Sequence, residues 1–162
     1  MTNLRIGLGE DSHRTAGGGP LRIGGIEVPH NQHTVGHSDA DVLLHAVTDA
    51  LLGAAGLQDI GQLFPNNDPV NAGRDSAEFL KLAYGRVKES GYTLVNLDAV
   101  VTAQQPKLSP HKEAIVTRIA EILQCERSQI NVKAKTGEGV GPVGRGEAME
   151  ARVVALIEVR SD

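Results

Sequence analysis

The chain has 162 residues, of which 40% are hydrophobic, 22% charged and only 2% aromatic, and its formal net charge is −4. This length and composition predict a single globular domain, from residue 1 to residue 162, with an aliphatic core. The acidic balance and the scarcity of aromatic rings argue against a nucleic-acid partner, because nucleic-acid binding needs positive charge and stacking platforms.

The sequence predicts neither a signal peptide at residues 1–7 nor a membrane-spanning segment. Residues 1–7 lack the apolar run of a signal peptide. The most apolar stretch, residues 42–57, contains His45 and Asp49 and is too short to span a bilayer. A lone cysteine, Cys125, excludes an internal disulfide and fits a reducing compartment. We therefore expect a cytoplasmic protein with no membrane partner.

Short strands are predicted at residues 5–10, 21–23 and 26–28, and Gly24-Gly25 predicts a hairpin turn between the last two. A polar loop with solvated His30 and His33 follows. A helix is then predicted from Ser38, with Asp41 as a capping partner, to Gly53 or Gly56.

Residues 59–69, rich in Gly, Pro, Asn and Asp, predict a loop. After it, the sequence predicts helices at residues 76–89 and 110–123, strands at residues 94–102, 130–135 and 150–159, and a glycine-rich loop at residues 137–146. The expected fold is therefore α/β, a two-layer sandwich of a mixed β-sheet with three helices on one face. Apolar side chains on the other face would favour association of subunits through the sheet.

Three residues predict a metal site. Asp11 and His13 lie two apart on a predicted strand and thus share one face, and His45 lies within the first long helix. One carboxylate and two imidazoles leave a fourth position open, as in catalytic zinc sites. The alternative is that Asp11 caps a strand end and His45 is an ordinary hydrogen-bonded helix residue.

Further polar residues suggest an anionic substrate. His37 and Ser38 stand at the predicted helix N-terminus, where backbone N–H groups favour phosphate, although ordinary capping also explains Ser38. Lys107 offers a positive charge, Thr136 a hydroxyl donor and Glu138 a carboxylate of the kind that binds Mg²⁺. Each is also compatible with a solvated loop.

Five segments together resemble the 2-C-methyl-D-erythritol 2,4-cyclodiphosphate synthase family. They are Asp11-x-His13, the block from His37 to Leu52 (His37-Ser38-Asp39-x-Asp41-x-x-x-His45-x-x-x-Asp49-Ala50-Leu51-Leu52), the block Asp59-Ile60-Gly61-x-x-Phe64-Pro65-x-x-Asp68-Pro69, the pair Pro106-Lys107, and Gly144-Arg145-Gly146-Glu147.

The resemblance implies a reaction of non-mevalonate isoprenoid precursor biosynthesis. In it, the 2-phosphate of 4-diphosphocytidyl-2-C-methyl-D-erythritol 2-phosphate attacks the β-phosphorus of the same molecule, and CMP leaves. It also implies a homotrimer with active sites at subunit interfaces, which agrees with the uncovered sheet face expected above.

The resemblance further implies a role for each site residue. Asp11, His13 and His45 bind one Zn²⁺ per subunit, Glu138 helps to bind Mg²⁺ or Mn²⁺, and His37 and Thr136 stabilise the transition state. The residues implied in substrate binding are Ser38, Asp59, Ile60, Gly61, Phe64, Asp68, Ala103, Lys107, Leu108, Lys135 and Arg145.

Two other classes of function are compatible with the metal pattern. The first is a zinc-dependent hydrolase of phosphoesters, in which the open metal position carries water. The second is a non-catalytic protein stabilised by a bound metal.

Overall fold

The computed structural model describes residues 3–160. Residues 1, 2, 161 and 162, which the single-domain prediction includes, lie outside that range. The strands are β1 (Leu4–Gly17), β2 (Leu21–Ile23), β3 (Ile26–Val28), β4 (Gln32–Val35), β5 (Tyr92–Thr102), β6 (Ile130–Lys135) and β7 (Ala148–Val159). The helices are α1 (Val42–Ala55), α2 (Ile60–Leu63), α3 (Ser76–Glu89), α4 (Lys112–Leu123) and α5 (Gly141–Gly144).

Five strands form one mixed sheet in the order β4-β1-β7-β5-β6. Neighbouring strands are antiparallel except β5 and β6, which run parallel. β2 and β3 form a separate hairpin, as the Gly24-Gly25 turn predicted. The mixed sheet with helices packed on it confirms the predicted α/β class.

The helix layer lies on one face of the sheet. α1 packs against β1, β7 and α3, and α4 packs against β6. Ten of the fourteen residues of α1 are buried, because the sheet covers one side of this helix and α3 another. α1 is therefore the central element of the core.

The opposite face of the sheet is uncovered in the single chain. In the first half of β1 the even positions point to this face, and Leu4, Ile6 and Leu8 are 49%, 71% and 66% exposed. Leu8 is paired with Val154 of β7, which is 41% exposed. These neighbouring side chains make an exposed apolar patch on the sheet.

The structure corrects the predicted start of the first long helix. The N-cap is Asp41, with extended backbone angles (φ −71°, ψ 94°) and a carboxylate that accepts a hydrogen bond from the Leu44 N–H at 3.0 Å. His37 and Ser38 lie in the bend before it, so the prediction that they stand at the helix N-terminus is wrong. The Asp41 side chain, which also accepts from the Gly24 and Gly25 N–H groups, occupies the helix end.

Other differences concern strands and short helices. β1 extends to Gly17, and its last residues pair with β4, a strand that was predicted as loop. β4 carries His33, which is half-buried and donates to the Gly18 carbonyl rather than being fully solvated. The loops predicted at residues 59–69 and 137–146 contain the one-turn helices α2 and α5. No helix within residues 3–160 is long and apolar enough to cross a membrane.

Candidate active site

The three predicted metal ligands converge in the folded chain. Asp11 Oδ2 lies 2.9 Å from His13 Nε2 and 3.0 Å from His45 Nδ1. The two ring nitrogens are 3.1 Å apart. The side chains of Asp11, His13 and His45 are 28%, 17% and 12% exposed, respectively. The cluster is therefore mostly shielded from solvent but still accessible. Its geometry is that of a site that can hold a divalent metal ion.

Two elements bring these ligands together. Asp11 and His13 point from β1 towards the helix layer, and His45 lies in the first turn of α1, which packs on β1. Gly36 leaves room for the His13 ring, because a Cβ at Gly36 would lie 2.9 Å from His13 Cε1. Residues 32 apart in sequence thus meet at one end of the interface between sheet and helix.

The ring nitrogens that face away from the cluster also have partners. His13 Nδ1 lies 3.0 Å from the Val35 carbonyl oxygen. Because a carbonyl oxygen only accepts, Nδ1 carries the proton of the neutral ring, and Nε2 keeps a free lone pair. His45 Nε2 lies 2.8 Å from Ser76 Oγ. The His13 nitrogen that points into the cluster is therefore available as a ligand, whereas the Ser76 hydroxyl could either donate to or accept from His45.

The electrostatics of the cluster favour a charged carboxylate. Burial alone would raise the pKa of Asp11, but the hydrogen bonds from His13 and His45, with the positive charge of these rings, lower it to about 2. For His13, burial opposes protonation, but the hydrogen bond to Asp11 and its negative charge outweigh burial and raise the pKa of the ring above its usual value. A bound cation would take the place of these protons.

The cluster forms one wall of a cleft. Of the residues predicted in the site, eight line this cleft: Asp11, His13, His37, Ser38, His45, Ile60, Gly61 and Phe64. Phe64 stacks on Phe79 with ring centroids 4.5 Å apart and an interplanar angle of 21°, which stiffens the opposite wall. The cleft therefore combines polar groups at the candidate metal site with an apolar side.

Asp59 and Asp68 stand next to the cleft and order its loop. The Asp59 carboxylate caps α2 by accepting from the Gln62 N–H at 2.9 Å. Asp68 accepts from the Val70 N–H at 3.0 Å, and its carbonyl oxygen accepts from His37 Nε2 at 3.2 Å. His37 is thereby fixed to the loop that follows α2.

Six of the remaining predicted residues form a second group at or just after the ends of β5 and β6: Ala103, Lys107, Leu108, Lys135, Thr136 and Glu138. Arg145 lies apart from them, between α5 and β7, next to Gly146, whose carbonyl oxygen accepts from Thr15 of β1 at 2.6 Å. The Ala103 N–H donates to the Lys135 carbonyl at 3.0 Å, and Thr136 Oγ1 donates to Glu138 Oε1 at 2.6 Å. Arg145 pairs with Glu147 at 2.9 and 3.0 Å. Lys107 is exposed, whereas the side chains of Ala103 and Leu108 are buried in the core.

The second group lies away from the cleft within one chain. Four residues lie side by side across four neighbouring strands of the sheet: Ser12 of β1, Glu150 of β7, Thr102 of β5 and Lys135 of β6. Ser12 stands between the two candidate ligands of β1. Three strand spacings of ~4.8 Å separate Ser12 from Lys135 by roughly 14 Å. In residues 3–160 of a single chain, the fold does not bring the two groups of predicted residues together.

The structure adds cleft residues that the sequence did not assign to the site. Asp49 lines the cleft and accepts from the Ile60 N–H at 2.7 Å, and burial raises the pKa of its carboxyl despite that hydrogen bond. Phe79, a buried residue of α3, also lines the cleft. The spacing of Asp49, one turn after His45, is a signal that could have assigned it to the site. For Phe79 no local signal distinguishes a cleft wall from the core.

Comparison with known proteins places these features in a family. The sequence profile of the YgbB family matches residues 4–158. A relative from Rhodopirellula baltica, named 2-C-methyl-D-erythritol 2,4-cyclodiphosphate synthase, is 55% identical over 157 residues, covering 97% of this chain and 95% of the relative.

Solved structures agree in fold. The bifunctional IspDF from Campylobacter jejuni is 40% identical with a TM-score of 0.95, and the match covers 99% of this chain and 44% of that protein. A CDP complex of IspF from Plasmodium falciparum is 35% identical with a TM-score of 0.87, and the match covers 99% of each chain. The match of the family profile, which extends from β1 to β7 and includes the candidate metal site and the cleft, shows that this chain belongs to the YgbB family.

Proposed function

We propose that the chain is a 2-C-methyl-D-erythritol 2,4-cyclodiphosphate synthase of non-mevalonate isoprenoid precursor biosynthesis. Its substrate is 4-diphosphocytidyl-2-C-methyl-D-erythritol 2-phosphate and its products are the cyclic diphosphate and CMP. The observation that carries this proposal is the convergence of Asp11, His13 and His45 at a cleft, in a chain of the YgbB family. The relative named above supports the same activity.

We infer that the three converging side chains bind one Zn²⁺ per subunit. One oxygen and two imidazole nitrogens are ligands that zinc prefers, and a tetrahedral zinc with bonds of ~2.0–2.1 Å holds its ligand atoms roughly 3.3 Å apart. The observed separations of 2.9 to 3.1 Å fit this requirement after a small adjustment. Zinc bound here would supply a Lewis acid for a phosphate oxygen.

The chemistry needs two phosphates held in line and kept from water. An oxygen of the 2-phosphate forms a bond to the β-phosphorus, while the bond from that phosphorus to the bridging oxygen breaks and CMP leaves with this oxygen. His37 and Ser38 line the cleft with the three candidate ligands, and the Ser38 hydroxyl can donate to a phosphate oxygen there. We assign His37 to stabilisation of the transition state and Ser38 to substrate binding.

The loop that follows α1 is proposed to bind the methylerythritol part. Asp59 uses one carboxylate oxygen to cap α2, and its exposed second oxygen can accept from a hydroxyl group. Ile60, Gly61 and Phe64 line the cleft next to it, and Asp68 holds His37 in place through its carbonyl oxygen.

We propose that the second group belongs to the active site of a neighbouring subunit. In this assignment Thr136 stabilises the transition state, Glu138 helps to bind Mg²⁺ or Mn²⁺, and Lys107 and Lys135 contact phosphate. Ala103 and Leu108 line the cytidine pocket through their backbone, since their side chains are buried. Arg145 completes the substrate-binding set.

A homotrimer supplies such a neighbour. The main-chain separation of roughly 14 Å between Ser12 and Lys135 supports a site that two chains complete together. The exposed Ile6, Leu8 and Val154 provide an apolar surface for association through the sheet. We further propose that the chain acts as a single synthase domain in the cytoplasm, without a nucleic-acid or membrane partner.

A product assay tests the activity. The protein is incubated with the cytidylyl substrate, Zn²⁺ and Mg²⁺, and products are followed by ³¹P NMR and by chromatography of nucleotides. We expect CMP and the cyclic diphosphate in equal amounts. Inorganic phosphate or an open-chain product would favour the phosphoester hydrolase, and the absence of turnover with zinc bound would favour a non-catalytic role.

A further inference from the structure

The imidazole of His45 has different partners on its two nitrogens. Nδ1 lies in the metal cluster, 3.0 Å from Asp11 Oδ2. Nε2 points the other way, 2.8 Å from Ser76 Oγ and 3.2 Å from Ser38 Oγ. The shorter distance makes Ser76 the main partner of Nε2. Ser76 is the first residue of α3 and is completely buried.

The direction of the hydrogen bonds behind His45 follows from their last acceptor. Ser76 Oγ also donates to Asp39 Oδ1, a carboxylate oxygen that acts as the acceptor. The single hydroxyl proton of Ser76 therefore points to Asp39. Ser76 Oγ must then accept from His45, which requires the proton of the neutral ring on Nε2 and leaves the lone pair of Nδ1 free for a metal.

The Asp39 carboxylate is itself held in place by main-chain donors. It accepts from the Ser76 N–H at 3.1 Å and from the Asp41 N–H at 3.2 Å. These bonds connect the segment before α1 to the beginning of α3. The acceptor for the Ser76 hydroxyl is thus fixed by two elements of the fold, and it does not depend on a ligand being present.

We propose that Ser76 and Asp39 are positioning residues for the metal site: they hold His45 in the Nε2–H tautomer and direct Nδ1 at the metal. Neither residue is one of the three candidate ligands: Ser76 contacts His45 at Nε2, the ring nitrogen that faces away from Asp11, and Asp39 contacts Ser76. The ring of His13 is oriented by a main-chain acceptor, because Nδ1 donates to the Val35 carbonyl oxygen. Of the two histidine ligands, only His45 is therefore oriented by side chains. This inference rests on the zinc site of the proposed function.

Zinc affinity is the direct readout, because partners that orient a metal-bound histidine typically contribute about 10- to 100-fold to metal affinity. The full-length zinc protein is titrated with a chromophoric chelator to obtain the dissociation constant. We expect Ser76→Ala to raise this constant by about 10- to 100-fold. Ser76→Thr, which keeps the hydroxyl, should restore most of the affinity. In Co²⁺-substituted protein, the d–d spectrum of Ser76→Ala should differ from that of the wild type.

A control separates this role from simple support of α3. Asp75 is the N-cap of α3 and accepts from the Ala77 N–H at 2.8 Å, but it does not contact His45. Asp75→Ala should lower thermal stability while zinc affinity stays within about threefold of wild type, well below the second-sphere effect. If Asp75→Ala weakened zinc binding as much as Ser76→Ala, the positioning role would be refuted.

Asp39→Ala provides a second, independent variant in case Ser76→Ala does not fold. Without the carboxylate, the Ser76 hydroxyl is free to donate to His45 Nε2, which favours the tautomer that cannot bind the metal through Nδ1. We expect weaker zinc binding, and affinity equal to that of the wild type in the folded variants would overturn the proposal. If the wild type itself bound no zinc, the proposed metal site would fail instead, so the two failures are distinguishable.

Discussion

Gly9 of β1 lies directly against Ala46 of α1, so close that a Cβ at Gly9 would stand 2.0 Å from the Ala46 carbonyl oxygen. Gly7 lies equally close to Ala50, one turn further along α1, because a Cβ at Gly7 would stand 2.0 Å from the Ala50 carbonyl oxygen. Asp11 continues the row of β1 positions that face the helix. The glycines let the backbone of α1 approach β1, and this approach places His45 within reach of Asp11.

A methyl group at Gly9 should therefore disturb both stability and metal binding. We expect Gly9→Ala to lower the free energy of unfolding by about 1–3 kcal/mol or more, because the clash is with main-chain atoms that cannot rotate away. Zinc affinity should fall as α1 moves from β1. Urea unfolding and chelator titration measure the two effects.

Gly53→Ala is the matched control for this substitution. Gly53 lies in α1, and its nearest neighbour to an added Cβ is the Leu8 carbonyl oxygen at 3.9 Å. Alanine is the better helix former by roughly 0.5–1 kcal/mol, so this variant should be as stable as the wild type or more stable. An unchanged unfolding midpoint in Gly9→Ala would contradict the close-packing explanation.

Removal of a metal ligand should abolish zinc binding and turnover. We expect His45→Ala to carry no stoichiometric zinc in elemental analysis and to be inactive, because the remaining Asp11 and His13 provide only two ligands. Dialysis of the wild type against a chelator should also remove activity, and added Zn²⁺ should restore it. His111→Ala, which changes a histidine outside the cleft, should keep full zinc content. Full zinc occupancy in His45→Ala would refute the ligand assignment.

Glu138 is predicted to act in binding of the second cation. Its carboxylate is exposed and contacts Thr136. We expect Glu138→Ala to raise the Mg²⁺ concentration needed for half-maximal activity by about tenfold or more, which corresponds to a loss of ~1.4 kcal/mol in binding. Zinc content should stay unchanged. Glu89→Ala, at the exposed end of α3, serves as control, and identical Mg²⁺ titrations for the two variants would count against this role.

A charge in the apolar patch should separate the subunits. We expect Leu8→Asp to dissociate the proposed trimer into monomers, measured by light scattering during size-exclusion chromatography, because the charge would be buried without a partner. Turnover should be lost while zinc stays bound, since all three zinc ligands belong to one chain. Leu82→Asp, on the exposed side of α3, should stay trimeric. A wild-type protein that is monomeric at micromolar concentration would disprove the trimer.

Several elements could be predicted from the sequence because their signals are local. α3 and β6 have the predicted boundaries, and the hairpin at Gly24-Gly25 is confirmed. The predicted start of α1 at Ser38 is wrong, because Ser38 and Asp41 both have side chains suited to capping a helix and the sequence does not distinguish between them. Asp41 is the N-cap because the Gly24 and Gly25 N–H groups bind the same carboxylate, and these groups reach it only in the folded chain.

The sequence by itself determined the α/β class, the three metal-ligand candidates and the family resemblance, because each is encoded in periodicity or in short motifs. Only the tertiary structure decided which groups meet. The packing of α1 on two glycines brings His45 to Asp11, and the buried Ser76 reaches His45 from a helix 31 residues further along the chain. Contacts of this kind depend on how elements pack across long separations, a property that local patterns do not specify. The same packing divides the predicted site residues into a cleft group and a distant group, and the proposed assembly follows from that division.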